Sequence, residues 1–288
     1  MKKIMWLPVV AMMFLTACEK DDNGVNMTPK EVQDALVARY PDAVGVAWST
    51  RGGYYVADFA IPGSPTTADN AAWFDIAGVW YMTEYDIPYA ALPQSVQDAF
   101  RGSAYGTWEV EDVDMLEREG METVYVIEVE GLGEDGREQE IDLYFSPDGL
   151  LVKAVVDADA GYDYADYIPD ALVSAVQSFV EQRYPNARIL EIDGERGLTE
   201  IDILDGQIKR ELFFDSSGNW VRTETELRIE ELPQAVRQAF AASEYARYGI
   251  EDADLVETPE GTCYRLETEV NDRDTYLYYD ANGQSLNM

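Results

Sequence analysis

Apolar residues along this chain switch between two spacings, and the switch from helical to strand-like spacing recurs four times. Val32, Ala35, Leu36 and Tyr40 fall at helical intervals. Thr28-Pro29 ahead of them supplies a capping residue and a proline at the first helical position, and Pro41 ends the run. The chain then becomes strand-like at 54–59, 73–74 and 79–83, where aromatic and β-branched residues gather. Asp75-Ile76-Ala77-Gly78 is a turn between the last two. A second unit opens at Leu92-Pro93 and continues in strands over 123–130, 140–145 and 151–156. In Glu140-Ile141-Asp142-Leu143-Tyr144-Phe145 the apolar positions alternate, which predicts one buried and one wet face. The third unit starts at Ile168-Pro169, carries its apolar stripe on Leu172, Ala175, Val176, Phe179 and Val180, and closes at Tyr184-Pro185. The fourth runs from Leu232 onward.

These units are copies. Leu92-Pro93-Gln94-Ser95-Val96-Gln97-Asp98-Ala99-Phe100 returns 140 positions later as Leu232-Pro233-Gln234-Ala235-Val236-Arg237-Gln238-Ala239-Phe240. The same offset carries Tyr105 to Tyr245, Val110-Glu111-Asp112 to Ile250-Glu251-Asp252, and Asp114 to Asp254. Tyr40-Pro41-Asp42-Ala43 pairs with Tyr184-Pro185-Asn186-Ala187, and Phe74-Asp75 to Trp80 with Phe214-Asp215 to Trp220. A unit of about 60 residues buries too little surface to be stable alone. Two units paired, with their strands in one antiparallel sheet and their helices on one face, give the α+β class. The predicted organisation is a first module at 28–157, an acidic linker at 158–167 and a second module at 168–288.

The N-terminus reads as an export address. Lys2-Lys3 are followed by an apolar stretch over 4–14 that is too short for a transmembrane helix, then by Leu15-Thr16-Ala17-Cys18. This resembles a bacterial lipobox, which makes 1–17 a signal peptide, Cys18 the lipidated residue and 18–27 a polar tether. Glu19-Lys20-Asp21-Asp22 fits either a surface-export signal or a solvated tether. The expected location is the cell envelope, anchored by lipid to the outer membrane of a Gram-negative bacterium and exposed at its surface. Cys18 is then the only contact with the membrane.

Charge and composition narrow the chemistry. Acidic residues number 56 against 21 basic ones, a net charge of −35. Such a chain repels phosphate backbones, so nucleic acid is not an expected partner, and it attracts cations or basic proteins. There is no histidine, which removes Ser-His-Asp and Cys-His catalysis and any His-ligated metal. No glycine-rich phosphate loop appears. With Cys18 lipidated, Cys263 has no cysteine left to pair with and reads as a small core thiol. Carboxylates are so abundant that a close pair carries no weight for catalysis.

The L-P-x-x-V-x-x-A-F helix starts, the Tyr-Pro-x-Ala helix ends and the F-D-x-x-G-x-W hairpins together resemble the PepSY-like family, in two tandem copies over most of residues 28–288. That family shares the fold of the β-lactamase inhibitor protein and occurs in exported proteins of gut-type bacteria. The resemblance implies a concave sheet whose aromatic residues grip a partner protein, no enzyme activity, and an inhibitory or regulatory role.

Two sets of residues follow as site candidates. Trp48, Trp73, Trp80 and Trp108 fall in the first module and Trp220 alone in the second. Aromatic residues dominate interface hot spots and sheet cores alike. The expected protein- or peptide-binding face is Tyr54, Tyr55, Trp73, Trp80 and Tyr81; of the adjacent tyrosines, one must leave the core because strand neighbours face opposite ways. The second set is Asp157, Asp159 and Asp163, carboxylates at near-alternating positions that suit a calcium loop or, equally, a solvated linker. The expectation is a non-enzymatic, partner-binding lipoprotein with no obligatory cofactor. A calcium-binding envelope protein is the alternative, and a carbohydrate-handling hydrolase is a third reading. Glu109 to Asp114 reads as a charged, solvated strand edge.

Overall fold

The structure, a computed structural model, describes residues 28–64, 70–133, 136–157, 164, 167–168, 174–195, 197–271 and 273–286. The first module runs α1 (Lys30–Arg39), β1 (Val44–Arg51), β2 (Tyr54–Ala60), β3 (Asn70–Phe74), β4 (Trp80–Asp86), α2 (Gln94–Gly102), β5 (Glu109–Arg118), β6 (Val124–Leu132), β7 (Glu138–Phe145) and β8 (Leu151–Asp157). The second repeats the plan with α3 (Ser174–Arg183), β9 (Arg188–Glu195), β10 (Leu198–Asp205), β11 (Ile208–Asp215), β12 (Trp220–Glu226), α4 (Gln234–Ala241), β13 (Ala253–Thr258), β14 (Gly261–Glu269), β15 (Asp274–Tyr279) and β16 (Ser285–Leu286). Each module is one eight-stranded antiparallel sheet with its strands in chain order. The half-sheets join directly, β4 on β5 and β12 on β13, although a helix separates them in the chain.

The helices share one face of each sheet. Val32 and Leu36 of α1 form a core with Ala57, Phe59, Ala72 and Phe74. Val96 and Phe100 of α2 pack with Ile127, Val129, Leu143 and Phe145. Val176 and Val180 of α3 meet Ile201, Ile203, Leu212 and Phe214, and Val236 and Phe240 of α4 meet Ala253, Leu266 and Tyr279. The repeated D-x-x-G turns seat the hairpins on the helices. Asp75 Oδ1 accepts the backbone N–H groups of Ala77 and Val79, each at 2.8 Å. A Cβ on Gly149, at φ +84°, would lie 2.5 Å from the Ser95 carbonyl oxygen of α2, so turn and helix touch only because the side chain is missing.

The opposite face of the first sheet carries a further core. Val56, Trp73, Met82, Leu116, Val126 and Tyr144 are closed over by Tyr164, Tyr167 and Ile168, and by Leu190 and Leu204 of the second module. Arg118 ties the modules together: it donates to the Leu190 carbonyl at 2.6 Å, and its guanidinium lies 4.1 Å from the centre of the Tyr167 ring. Tyr164 and Tyr167, from the stretch expected to be a solvated linker, are therefore buried core residues of the first sheet.

Three further expectations are corrected. Pro29, not Thr28, occupies the N-cap of α1, with no side-chain cap; the Thr28 carbonyl instead accepts the Gln33 side-chain amide at 2.8 Å. Strand β1 escaped the pattern because the pairing shifts register between Val44 and Ala47. Strand β5 is not an edge: it lies between β4 and β6, with a register shift between Val110 and Asp112 that breaks its alternation.

Candidate binding surface

The five aromatic candidates do not form one face. Tyr55 and Trp80 lie on the helix side, around α1. Trp80 donates its indole N–H to Thr83 Oγ1 at 2.7 Å, and the Arg39 guanidinium sits 3.3 Å from its ring centre. Trp220 repeats the device, with Thr223 at 3.0 Å and Arg183 at 5.2 Å, which marks it as a helix-to-hairpin clasp. Tyr54, Trp73 and Tyr81 lie on the other side. Trp73 is 0% exposed and cannot touch a partner. Tyr54 and Tyr81 meet edge to face at 5.3 Å, half-buried against the same core. Both faces of this sheet are covered, so neither of the adjacent tyrosines is driven out to solvent.

Of the calcium candidates, Asp159 and Asp163 lie outside the described residues, and Asp157 is described only as the last backbone position of β8, opposite Glu140. The structure groups other carboxylates that no local motif announces. Paired residues on adjacent antiparallel strands share a face, and on the helix-free face of the second sheet Glu191, Asp202, Glu211 and Glu224 stand opposite one another across β9 to β12. Like charges so placed repel, and basic residues stand among them. Lys153 of the first module pairs with Glu191 at 2.5 Å, and Lys209 with Asp202 at 2.8 Å and Glu211 at 3.2 Å. Glu224 takes Arg222 at 2.5 Å and Arg265 at 2.7 Å. A groove of about 380 Å³ opens on this face between Glu211, Glu224, Glu226, Asp254 and Glu267.

Glu200, Asp202 and Glu211 each offer one oxygen within 4.8 Å of the others, the one such carboxylate trio among the described residues. Asp202 is 7% exposed, and burial pushes its carboxyl up to about 6; Glu200 rises to about 7 for the same reason. A divalent cation would find oxygen ligands here, next to the ammonium of Lys209. The alternation Glu200-Ile201-Asp202 was visible in the sequence, but Glu211 joins it only through the register of β11.

On the first sheet the equivalent face carries Glu84, Asp86, Asp112 and Asp114, matched at the 140-residue offset by Glu224, Glu226, Asp252 and Asp254. Burial, then the neighbouring Glu84, pushes the Asp114 carboxyl up to about 8; burial pushes Glu84 up to about 7. Farther along, Glu128 rises to about 8, first through its hydrogen bond with Glu140.

Two α+β modules in tandem, each a meander sheet with helices on one face, define the class of protein. The chain matches the profile of the family described as "Putative beta-lactamase-inhibitor-like, PepSY-like" over residues 53–153, 164–209 and 198–287. It belongs to this family. Solved structures similar to it include a BLIP-like protein from Bacteroides fragilis, 34% identical, covering 50% of this chain and 96% of that one with a TM-score of 0.44. A DUF2874 family protein from Bacteroides ovatus is 34% identical over 48% of this chain and 94% of its own, with a TM-score of 0.43. A "putative periplasmic" protein from Bacteroides eggerthii is 29% identical over 48% and 94%, with a TM-score of 0.42. No curated protein matches the chain. Among the described residues no helix is long and apolar enough to cross a membrane.

Proposed function

We propose that this protein is a non-catalytic binding protein of the cell envelope, held to the outer membrane by lipid on Cys18, which presents the carboxylates on the helix-free face of its second sheet to a basic protein partner. The observation that carries this is the open acidic groove of the second sheet, bounded by Glu211, Glu226 and Glu267 on a chain of net charge −35. Inhibition or regulation of that partner is what the family resemblance adds. The aromatic-face version of the idea is set aside for Trp73, which is core.

The test is affinity capture from envelope extract, comparing the wild type with a triple variant, Glu211→Lys, Glu226→Lys and Glu267→Lys. A basic protein retained at low salt, released as salt rises above about 0.3 M, and not retained by the variant is the expected result. Capture that ignores both salt and the triple substitution sinks the reading. A calcium role is favoured by one observation, the trio Glu200, Asp202 and Glu211. Calorimetric titration with calcium, repeated on Glu200→Gln, decides it: heat that vanishes in the variant supports the ion, and no heat in the wild type removes it.

A further inference from the structure

Each sheet ends in two edge strands, and three of the four are already met by other groups or very short. Strands β8 and β9 meet the opposite module: Lys209 donates to the Val152 carbonyl at 3.5 Å, and the Ile189 and Leu190 carbonyls accept the Glu122 N–H at 2.8 Å and the Arg118 guanidinium at 2.6 Å. Strand β16 is two residues long. Strand β1 has eight residues, and among the described residues nothing hydrogen-bonds to its outer side. Its register shift is confined to the stretch between Val44 and Ala47; from Ala47 to Arg51 the pairing with β2 is regular. Over that stretch it has none of the devices that blunt an edge, neither proline nor lysine. The direction of its free groups follows from the hairpin. Gly52 and Gly53, at φ +54° and +88°, form a two-residue loop closed by Arg51 and Tyr54. The closing pair of such a hairpin exchanges both its N–H···O bonds, and the pattern alternates from there. Ser49 and Ala47 therefore bond inward to β2, and the N–H and C=O of Trp48 and Thr50 point outward.

We propose that β1 is a dimer interface: two copies of this chain pair their β1 strands antiparallel and join their eight-stranded first sheets into one continuous sheet. This goes beyond the basic-partner reading and does not depend on it. Charge decides the occupant. In a chain with 56 acidic residues β1 carries none, so a basic partner finds no carboxylate there. Its one charged residue, Arg51, is already held by Asp58 at 3.0 Å. A second copy brings the same acid-free strand, which the net charge of −35 repels least at this edge. It also brings the same outward groups. With Trp48 opposite Thr50 of the partner subunit, the two strands close four backbone hydrogen bonds about a twofold axis at Ser49. Arg51 then falls opposite Ala47 of the partner subunit, so no like charges meet. Such a contact uses the same patch on both copies and leaves no free length of β1, so assembly ends at the dimer.

The experiment is sedimentation velocity on the purified full chain from about 1 to 200 μM. Expected is a monomer–dimer equilibrium with a Kd of about 10 μM. It tightens severalfold as salt rises from about 0.05 to 0.5 M, because screening relieves the repulsion between two acidic copies. Thr50→Pro removes an outward N–H that β2 does not use, so the fold is kept and the dimer is lost. Ala47→Lys sets a lysine opposite Arg51 of the partner subunit and weakens the dimer about tenfold or more; it decides the matter should the proline variant not fold. Capture of a basic partner is unchanged in both variants and weakens with salt, where the dimer strengthens, so the two readings fail separately. The proposal is overturned by a chain that stays monomeric up to about 200 μM at every salt, by association that continues past two copies, or by a dimer that neither substitution weakens.

Discussion

Where the first sheet sets Val56, Trp73 and Met82 side by side on its helix-free face, the second sets Glu200, Phe213 and Arg222. The helix sides of the two modules stayed alike, with a valine and a second apolar residue from each helix on a sheet of aliphatic and aromatic residues. The other sides diverged, and each divergence has its own physical consequence. An apolar face must be taken out of water; here Tyr164 and Tyr167 from between the modules, with Leu190 and Leu204, do so. An ionic face can stay wet, provided its charges are matched; Lys153, Lys209, Arg222 and Arg265 do the matching. Even Phe213 is shielded by a charge, with the Arg222 guanidinium 3.6 Å from its ring centre. Duplication thus separated two tasks: one face glues the modules together and the other meets solvent.

The largest test of this contrast is truncation at the equivalent aromatic positions. Trp73→Ala removes a fully buried ring and is expected to cost about 3–5 kcal/mol in urea denaturation. Phe213→Ala is expected to cost clearly less, because its ring is covered by a guanidinium that can resettle. Equal losses would mean that both faces act as packed cores. Next in size is Lys209→Met, which leaves Asp202 and Glu211 facing each other without their shared cation. The expected loss is about 3 kcal/mol at pH 8. It shrinks at pH 5, where Asp202, its carboxyl already pushed up to about 6, takes a proton instead. A loss that does not change between these pH values would show that Lys209 acts through its packing.

Much of the helix side was legible in the sequence, because the information there is local. Val96 and Phe100 announce a helix by spacing, and Asp75 and Gly78 announce a turn by residue type. The helix-free side was not legible to the same degree, for identifiable reasons. A bulge near Val44 hides β1 from any rule of strict alternation, and one at Val110–Asp112 lets β5 read as a charged edge when it lies inside the sheet. Period two says that Tyr54 and Tyr55 point opposite ways, but not that a segment more than a hundred residues later covers one of the two faces. Tyr164 and Tyr167 sit in an acidic stretch whose composition reads as linker, and only the tertiary fold reveals their partners, Asp114 and Arg118. The Glu200, Asp202 and Glu211 trio likewise depends on strand register, which no short motif encodes.

The finest test compares the carboxylates that share a place in the two sheets. Asp114 faces Glu84, Asp86, Asp112 and the Tyr164 hydroxyl, and its carboxyl is pushed up to about 8. A carboxyl raised on folding binds more protons in the native than in the unfolded chain, so stability falls as pH rises. The contribution is intact below about pH 4, the unfolded value, and is lost as pH climbs through about 8. Asp114→Asn keeps the shape and abolishes the titration. Its melting temperature is expected to match the wild type near pH 5 and to exceed it at pH 9 by about 3 °C, equivalent to about 1 kcal/mol in a chain of this size. Asp254 is also raised by burial, but Arg265 works against that rise. Asp254→Asn is therefore expected to shift the melting temperature at pH 9 by less than the first substitution does. Scans of both variants at the two pH values settle the matter. Equal gains would mean that Arg265 does not relieve its quartet, and the contrast between a carboxylate facing arginine and one facing valine would fall with it.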